Sequence, residues 1–316
     1  MIKMTSARWM VVVNPNAGHG KGKKDWKQIS SYLNKYNLSY EYCFTEYPFH
    51  AIELTTTALG KGFRNFIGVG GDGTMNEIVN GIFSQTEIPT TEITLGTITV
   101  GTGNDWGRMF DMPSGYEESV RIISEGKTTI HDAGLCIYKN DEKEIRRFFI
   151  NIAGLGFDAL VVKRTNRQKE RGKRGKAIYM WNLLMSLIVY RHVHTDVEID
   201  GQRISNETFT ISIGIGKYSG GGMMQTPHAL HDDGLFDITI IKRIGKGEVI
   251  RNLKRLYDGS IYDHPKIEWY RGKNIRINSD PKIHAEADGE SLGHSPIEFR
   301  IIPKCINVVI NSDPSL

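Results

Sequence analysis

Cysteine is scarce in this chain: three residues in 316, Cys43, Cys136 and Cys305. An odd, widely spaced set inside apolar segments argues against a disulfide framework and against a zinc site, and reads as buried thiols in a reducing compartment. Long apolar runs are missing as well. No stretch approaches the roughly 20 residues that a membrane helix needs, and the run Trp9 to Val13 is too short for a signal peptide and leads straight into turn residues. Internal repeats and low-complexity segments are absent. Charge is nearly balanced: 40 Lys and Arg against 36 Asp and Glu leave +4, which favours anionic partners without choosing among them. What is present, 39% hydrophobic residues over 316 positions, suffices for a core in each of two domains.

The first part of the chain alternates strands and helices. Residues 8 to 13 read as a buried strand, followed by the turn-rich Asn14-Pro15-Asn16-Ala17-Gly18-His19-Gly20 and a helical pattern from Asp25 to Tyr36. A second strand, Ser39 to Phe44, ends at Thr45 ahead of a helix over Ala51 to Gly60, and a fourth, Ile93 to Val100, runs into Gly101-Thr102-Gly103-Asn104-Asp105. This alternation predicts a doubly wound parallel sheet whose strand-end loops line one cleft. From about Thr128 the pattern becomes β-rich with short turns, so an antiparallel sandwich is expected after the helix Tyr116 to Glu125. The boundaries are 1–130 for a nucleotide-binding α/β domain and 131–302 for a β-rich substrate domain. A last strand that returns would complete the first domain with about 303–316.

Between the second and fourth strands lies Asn65-Phe66-Ile67-Gly68-Val69-Gly70-Gly71-Asp72-Gly73-Thr74-Met75-Asn76-Glu77, an apolar run that breaks into glycines and then a helix. Glycine lets backbone N–H groups approach an anion, and Thr74 with Glu77 three residues on predicts a capping box at the helix start. Asp72 does not suit a plain anion cradle, because a carboxylate beside phosphate oxygens needs a divalent cation between them. Gly68, Gly70 and Gly73 also match a dinucleotide fingerprint, which does not require Asp72 and lacks an acid at the end of the next strand. A Walker A loop is absent, since Gly20-Lys21 is followed by glycine. The remaining reading is a phosphotransferase.

Gly70-Gly71-Asp72-Gly73-Thr74-Met75-Asn76-Glu77 resembles the signature of the diacylglycerol kinase catalytic-domain family, which includes bacterial soluble lipid kinases and the sphingosine and ceramide kinases. NAD kinases share only the Gly-Gly-Asp-Gly-Thr core. Three further stretches resemble the lipid kinases: Asn14 to Gly18, Gly101 to Asp105, and Gly220-Gly221-Gly222-Met223 followed by Pro227, Ala229 and Asp232-Asp233-Gly234-Leu235. Thr99-Val100 and Trp106-Gly107 depart from the family's usual Pro-Leu and Phe-Ala. The resemblance implies a phosphofructokinase- and NAD-kinase-like α/β N-terminal domain, a C-terminal β-sandwich, and transfer of the γ-phosphoryl group of ATP to a lipid hydroxyl. The acceptor it implies is diacylglycerol, or alternatively a sphingoid base, ceramide or phosphatidylglycerol. A non-catalytic nucleotide- or lipid-binding protein of the same fold is the reading of another class.

By that resemblance, Asn14, Asn16, Gly18, Thr45, Gly71, Asp72, Gly73, Thr74, Asn76, Glu77 and Thr102 hold the nucleotide, with Asp72 working beside Mg²⁺. Leu230, Asp233 and Leu235 resemble a structural magnesium site, the leucines through their carbonyl oxygens. Glu286-Ala287-Asp288-Gly289-Glu290 resembles the family's Asp-Gly-Glu element, with Glu290 as general base at the interdomain cleft and Asp288 orienting it or holding metal. The plain alternative at both Asp-Gly pairs is a turn between strands. Lys163 to Lys176 holds eight Lys or Arg residues and precedes the apolar Tyr179 to Tyr190. Such a pair suits docking on an anionic membrane surface, while the plain reading is a loop before a helix that packs on the β domain. The expected protein is cytoplasmic with peripheral association at the inner face of the membrane. It is compatible with a homodimer and has no fold for reading nucleic acid.

Overall fold

The computed structural model describes residues 8–101, 104–140, 143–170 and 176–312. It divides into two compact units, one running to His131 and resuming at Lys304, the other spanning Asp132–Pro303.

The first unit begins with β1 (Arg8–Val13), α1 (Ala17–Lys24), α2 (Trp26–Lys35), β2 (Ser39–Phe44) and α3 (His50–Gly60). It continues with β3 (Asn65–Gly70), α4 (Asp72–Phe83), β4 (Thr94–Thr99), α5 (Asp105–Arg108) and α6 (Tyr116–Glu125). These strands pair in parallel in the order β2-β1-β3-β4, with Asn307 and Val308 of the last strand parallel beside Thr94 and Leu95 of β4. Trp9 to Val13 are all buried, as expected for a strand covered on both faces. Helix α4 lies very close to β3. A Cβ on Gly70 would come within 2.3 Å of Thr74 Oγ1, and one on Gly68 within 2.3 Å of Met75 Sδ, so these glycines serve helix-to-strand packing.

The expected capping box does not form. Helix α4 starts at Asp72 with Gly71 as its N-cap, and Thr74 N–H already bonds Gly71 O at 2.9 Å, so Thr74 stands inside the first turn. Glu77 caps a neighbour instead: its carboxylate accepts the N–H groups of Phe49 and Ala51, each at 3.1 Å, at the start of α3. A carboxylate is favoured there by the unpaired N–H groups of the helix terminus.

The second unit follows β5 (Thr128–Asn140), inside which the division falls, with β6 (Lys143–Phe149), β7 (Ile152–Gly156), α7 (Phe157–Glu170), α8 (Lys176–Val189), β8 (Val193–Ile199) and β9 (Gln202–Gly214). Then come β10 (Tyr218–Ser219), β11 (Met223–Met224), β12 (Phe236–Lys242), α9 (Lys246–Asn252), α10 (Arg255–Asp258), β13 (Ile267–Gly272), β14 (Asn274–Asp280), β15 (His284–Ala287), β16 (Glu290–His294) and β17 (Ile297–Val309). Its pairings are antiparallel and its apolar centre is built from alternating residues of these strands, among them Phe149, Ile211, Ile213, Phe236, Ile238, Ile275 and Phe299. Together the units give an α/β N-terminal fold and a C-terminal β-sandwich.

The basic run is not a loop up to Glu170. Lys163 to Glu170 form the second half of α7, in keeping with its straight-chain Lys, Arg, Gln and Glu residues, while 171–175 lie outside the described residues. Helix α8 turns Leu183 and Leu187 inward against Phe157 and Val161, and leaves Met180, Trp181, Leu184, Ile188 and Val189 exposed.

Candidate active site

In the first unit the strand order reverses at β1, which has β2 on one side and β3 on the other. Ligands of open parallel sheets bind outside the carboxyl ends of the strands at such a switch point. Three loops meet there. Asn14 Nδ2 donates to Thr74 Oγ1 at 3.2 Å, its Oδ1 accepts the Asn16 N–H at 3.0 Å, and its backbone N–H bonds Val69 O at 3.0 Å. Gly18 has φ 58°, and a Cβ added to it would lie 3.1 Å from the Gly101 nitrogen, so the loops after β1 and β4 touch at a place that suits glycine. Asp72 fastens a third contact: Oδ2 accepts the N–H of Asp105 and Oδ1 that of Trp106, both at 3.1 Å.

Asn14, Asn16, Gly18, Thr45, Gly71, Asp72, Gly73 and Thr74 therefore gather at one end of the sheet, Thr45 being fixed by its N–H to Val13 O at 2.9 Å. Asn76 and Glu77 serve the scaffold. Asn76 is buried within α4, where its Oδ1 accepts from Asn80 Nδ2 at 3.1 Å, and Glu77 holds α3. Thr102 lies outside the described residues.

In the second unit, Asp288 and Gly289 are the two central residues of the β15–β16 hairpin, with φ of 49° and 81°, and Ala287 pairs with Glu290 across it. Both values are positive, as a tight primed turn demands. The turn is more than a connector. The buried Asp288 carboxylate accepts the N–H groups of Ile150, Asn151 and Ile152 at 3.1, 3.0 and 3.2 Å, so Asp288 braces the chain entering β7. Glu290 follows directly, partly buried.

The expected magnesium site is arranged differently. Asp233 Oδ1 accepts the Leu235 N–H at 3.0 Å and Oδ2 pairs with the Arg271 guanidinium, whose Nε also reaches the buried Asp237 at 3.3 Å. A guanidinium thus stands where a cation would neutralise Asp233. Leu230 is exposed, and no group of three or more His, Cys, Asp or Glu side chains converges among the described residues. The donor set as built does not fit the ion.

A cavity lies within the second unit. Phe157, Leu183, Ile241, Val249 and Leu256 give it apolar walls, and Asp158, Thr210, Ser212 and Gln225 form one hydrogen-bonded cluster on them. Asp158 Oδ2 accepts from Thr210 Oγ1 at 3.0 Å and from Gln225 Nε2 at 3.1 Å. Burial raises the Asp158 carboxyl to about 6, against the lowering effect of its hydrogen bonds from Thr210, Ser212 and Gln225. Glu286 stands behind it. A Cβ on Gly154 would lie 2.8 Å from Glu286 Oε1 and 3.3 Å from Asp158 Cβ, so a side chain at 154 would crowd both acids. Burial pushes Glu286 well above the ordinary carboxylate range, the Gly289 N–H opposes this, and the charges of Asp158, Asp288 and Glu290 add to it.

The pattern of the family described as "Diacylglycerol kinase catalytic domain" matches residues 8–136, and that of the "YegS C-terminal NAD kinase beta sandwich-like domain" matches 151–310, just over half of the chain. The chain belongs to the diacylglycerol kinase family. It is a lipid kinase. It is 27% identical over 306 residues to the diacylglycerol kinase of Staphylococcus carnosus, covering 97% of this chain and 96% of that one. It is 28% identical to the diacylglycerol kinase of Staphylococcus aureus strain MRSA252, covering 97% and 93%. A crystal structure of a Bacillus anthracis diacylglycerol kinase shares the fold with TM-score 0.74 at 22% identity, covering 98% and 99%. Yeast NADH kinase complexed with NADH matches with TM-score 0.56 at 12% identity, over 98% of this chain and 85% of that one.

Sequence reading of this lipid kinase missed Asp158, Gln225 and the buried state of Glu286. The one signal for Asp158 was an acid placed directly after the apolar Leu155-Gly156-Phe157, where a strand becomes a helix. Gln225 carried no local signal, because its importance rests on side chains from α7 and β9.

Proposed function

We propose that this kinase transfers the γ-phosphoryl group of Mg·ATP to a lipid hydroxyl, diacylglycerol giving phosphatidate being the reference reaction of the class. The cavity carries this reading, because walls that include Phe157, Leu183 and Leu256 suit acyl chains. Sphingoid bases, ceramide and phosphatidylglycerol are the related acceptors.

Asn14, Asn16, Gly18, Gly71, Gly73 and Thr74 are assigned to the phosphates, with Thr45 and Thr102 completing the nucleotide loops. Backbone and amide donors at the switch point support that assignment. Magnesium, which arrives with ATP, supplies charge neutralisation at the transferring phosphate. Asp72 is the carboxylate assigned to it; Asp72 and Asp105 offer the hard oxygen donors that this ion takes. Glu290 accepts the proton of the lipid hydroxyl, whose oxygen forms the new bond to the γ-phosphorus as the bond to the ADP oxygen breaks. Asp288 holds the turn that carries Glu290. The basic run Lys163–Lys176 and the exposed stripe of α8 support a cytoplasmic protein with peripheral contact to an anionic inner membrane face.

The test uses γ-labelled ATP, Mg²⁺ and a panel of diacylglycerol, sphingoid base, ceramide, phosphatidylglycerol and NAD. Label is expected in a lipid, with Asp72→Ala and Glu290→Ala each lowering transfer by at least about 100-fold, the scale of a lost acid-base or electrostatic group. Label in NAD alone would replace this reading by a nucleotide kinase. Transfer that survives both substitutions would sink the mechanism.

A further inference from the structure

The cavity wall holds a buried acceptor that nothing among the described residues satisfies. Gln225 is 7% exposed, lines the cavity, and its Oε1 has no hydrogen-bond partner. The orientation of its amide is fixed by chemistry: Nε2 donates to Asp158 Oδ2 at 3.1 Å, and the flipped amide would set oxygen against oxygen. Oε1 must therefore be the free end. Asp158 adds a second acceptor, since Thr210, Ser212 and Gln225 all bond its Oδ2 and none bonds Oδ1. The hydroxyl of Thr210 is engaged, as it also reaches Leu155 O at 2.9 Å. Gln225 and Asp158 thus leave two acceptor oxygens without a partner among the described residues, at a cavity whose lining also includes Asn252, Arg255 and His264.

An unmet buried acceptor costs about 1–3 kcal/mol and is relieved by a ligand that brings a donor. Diacylglycerol has one donor, the hydroxyl that reacts, and on the reading above that proton goes to Glu290. Its two esters offer only acceptors, which would face the oxygens of Gln225 and Asp158 without a proton between them. We infer that the Asp158–Gln225 pair selects an acceptor lipid carrying a second hydrogen-bond donor, a free hydroxyl or amide N–H beside the hydroxyl that is phosphorylated. Monoacylglycerols and N-acyl amino alcohols have such a donor. This rests on the lipid-kinase reading and narrows its acceptor.

The test compares 1-monooleoylglycerol with its 2-O-methyl ether and with dioleoylglycerol on the full chain, in wild type and in Gln225→Met. Binding is read as displacement of a fluorescently labelled monoacylglycerol, and turnover as label from γ-labelled ATP. The expected result is a preference of at least about tenfold in both Kd and kcat/KM for the lipid with the free second hydroxyl, because a site built to bond a hydroxyl rejects the analogue lacking it. In Gln225→Met that preference should shrink toward unity. The wild-type comparison stands even where the variant does not fold. Equal handling of all three lipids by the wild type would overturn the inference and leave the kinase reading intact. The binding preference without transfer to any lipid would overturn the kinase reading and support the inference.

Discussion

Asp158 sets a pH signature that a purely structural acid would not have. Its carboxyl is raised from 3.8 to about 6 by burial, so between those values the folded state binds more protons than the unfolded chain, and stability falls as pH rises. The loss is complete above about pH 6 and amounts to about 3 kcal/mol at 1.36 kcal/mol per unit. Asp158→Asn keeps an acceptor for Thr210 without the charge. It should raise the unfolding free energy at pH 7.5 by up to about 3 kcal/mol and leave it unchanged near pH 4, read by urea denaturation at both values. An equal effect at the two values would show that burial does not hold the charged form back. At this scale the sequence singled out Asp72, Asp288 and Glu290 as candidates, because each sits in a short pattern with its own turn. It could not reveal that Asp288 is braced by three N–H groups from 150–152, partners more than 130 positions away.

Helix α8 is apolar on both sides, and only one side has protein to meet. Leu183 and Leu187 face the cavity side of the second unit, whereas Trp181 and Ile188 remain 58% and 59% exposed. An outward stripe of this kind on a helix that follows a basic segment fits insertion into the acyl-headgroup boundary. Replacing Trp181 and Ile188 together by Ser should weaken sedimentation with anionic vesicles at least about tenfold, given the 1.5–3 kcal/mol that burial of one large apolar side chain contributes. Phosphorylation of lipid dispersed in detergent should be unaffected. Unchanged vesicle binding would remove α8 from the docking surface. Both plain and functional readings of this helix were legible from composition, and the structure gives it one packed and one exposed face. The capping pattern at Thr74 and Glu77 misled for a related reason. Helix α4 starts where β3 ends, and the glutamate answers the stronger demand of the α3 terminus, which local spacing does not show.

For the molecule as a whole, the change from alternating strands and helices to β-rich runs was readable because hydrophobic periodicity reports burial directly. Helix α7 was hidden, since its charged second half has little apolar periodicity and resembles a loop in composition. The first unit is also not a continuous stretch of chain. Residues from Lys304 on belong to it, and Asn307 and Val308 lie beside β4. A fragment ending at His131 would leave the β4 edge without its neighbour, a row of unpaired N–H and C=O groups ready to join another copy. Such a fragment should aggregate on expression, whereas the same fragment with residues 303–312 appended through a flexible linker should run as a monomer in size-exclusion chromatography and bind ATP. The nucleotide half of this enzyme is thus something to be re-spliced, never simply cut out, and a bulky group placed close behind Asn311 would act on nucleotide binding from a distant part of the chain.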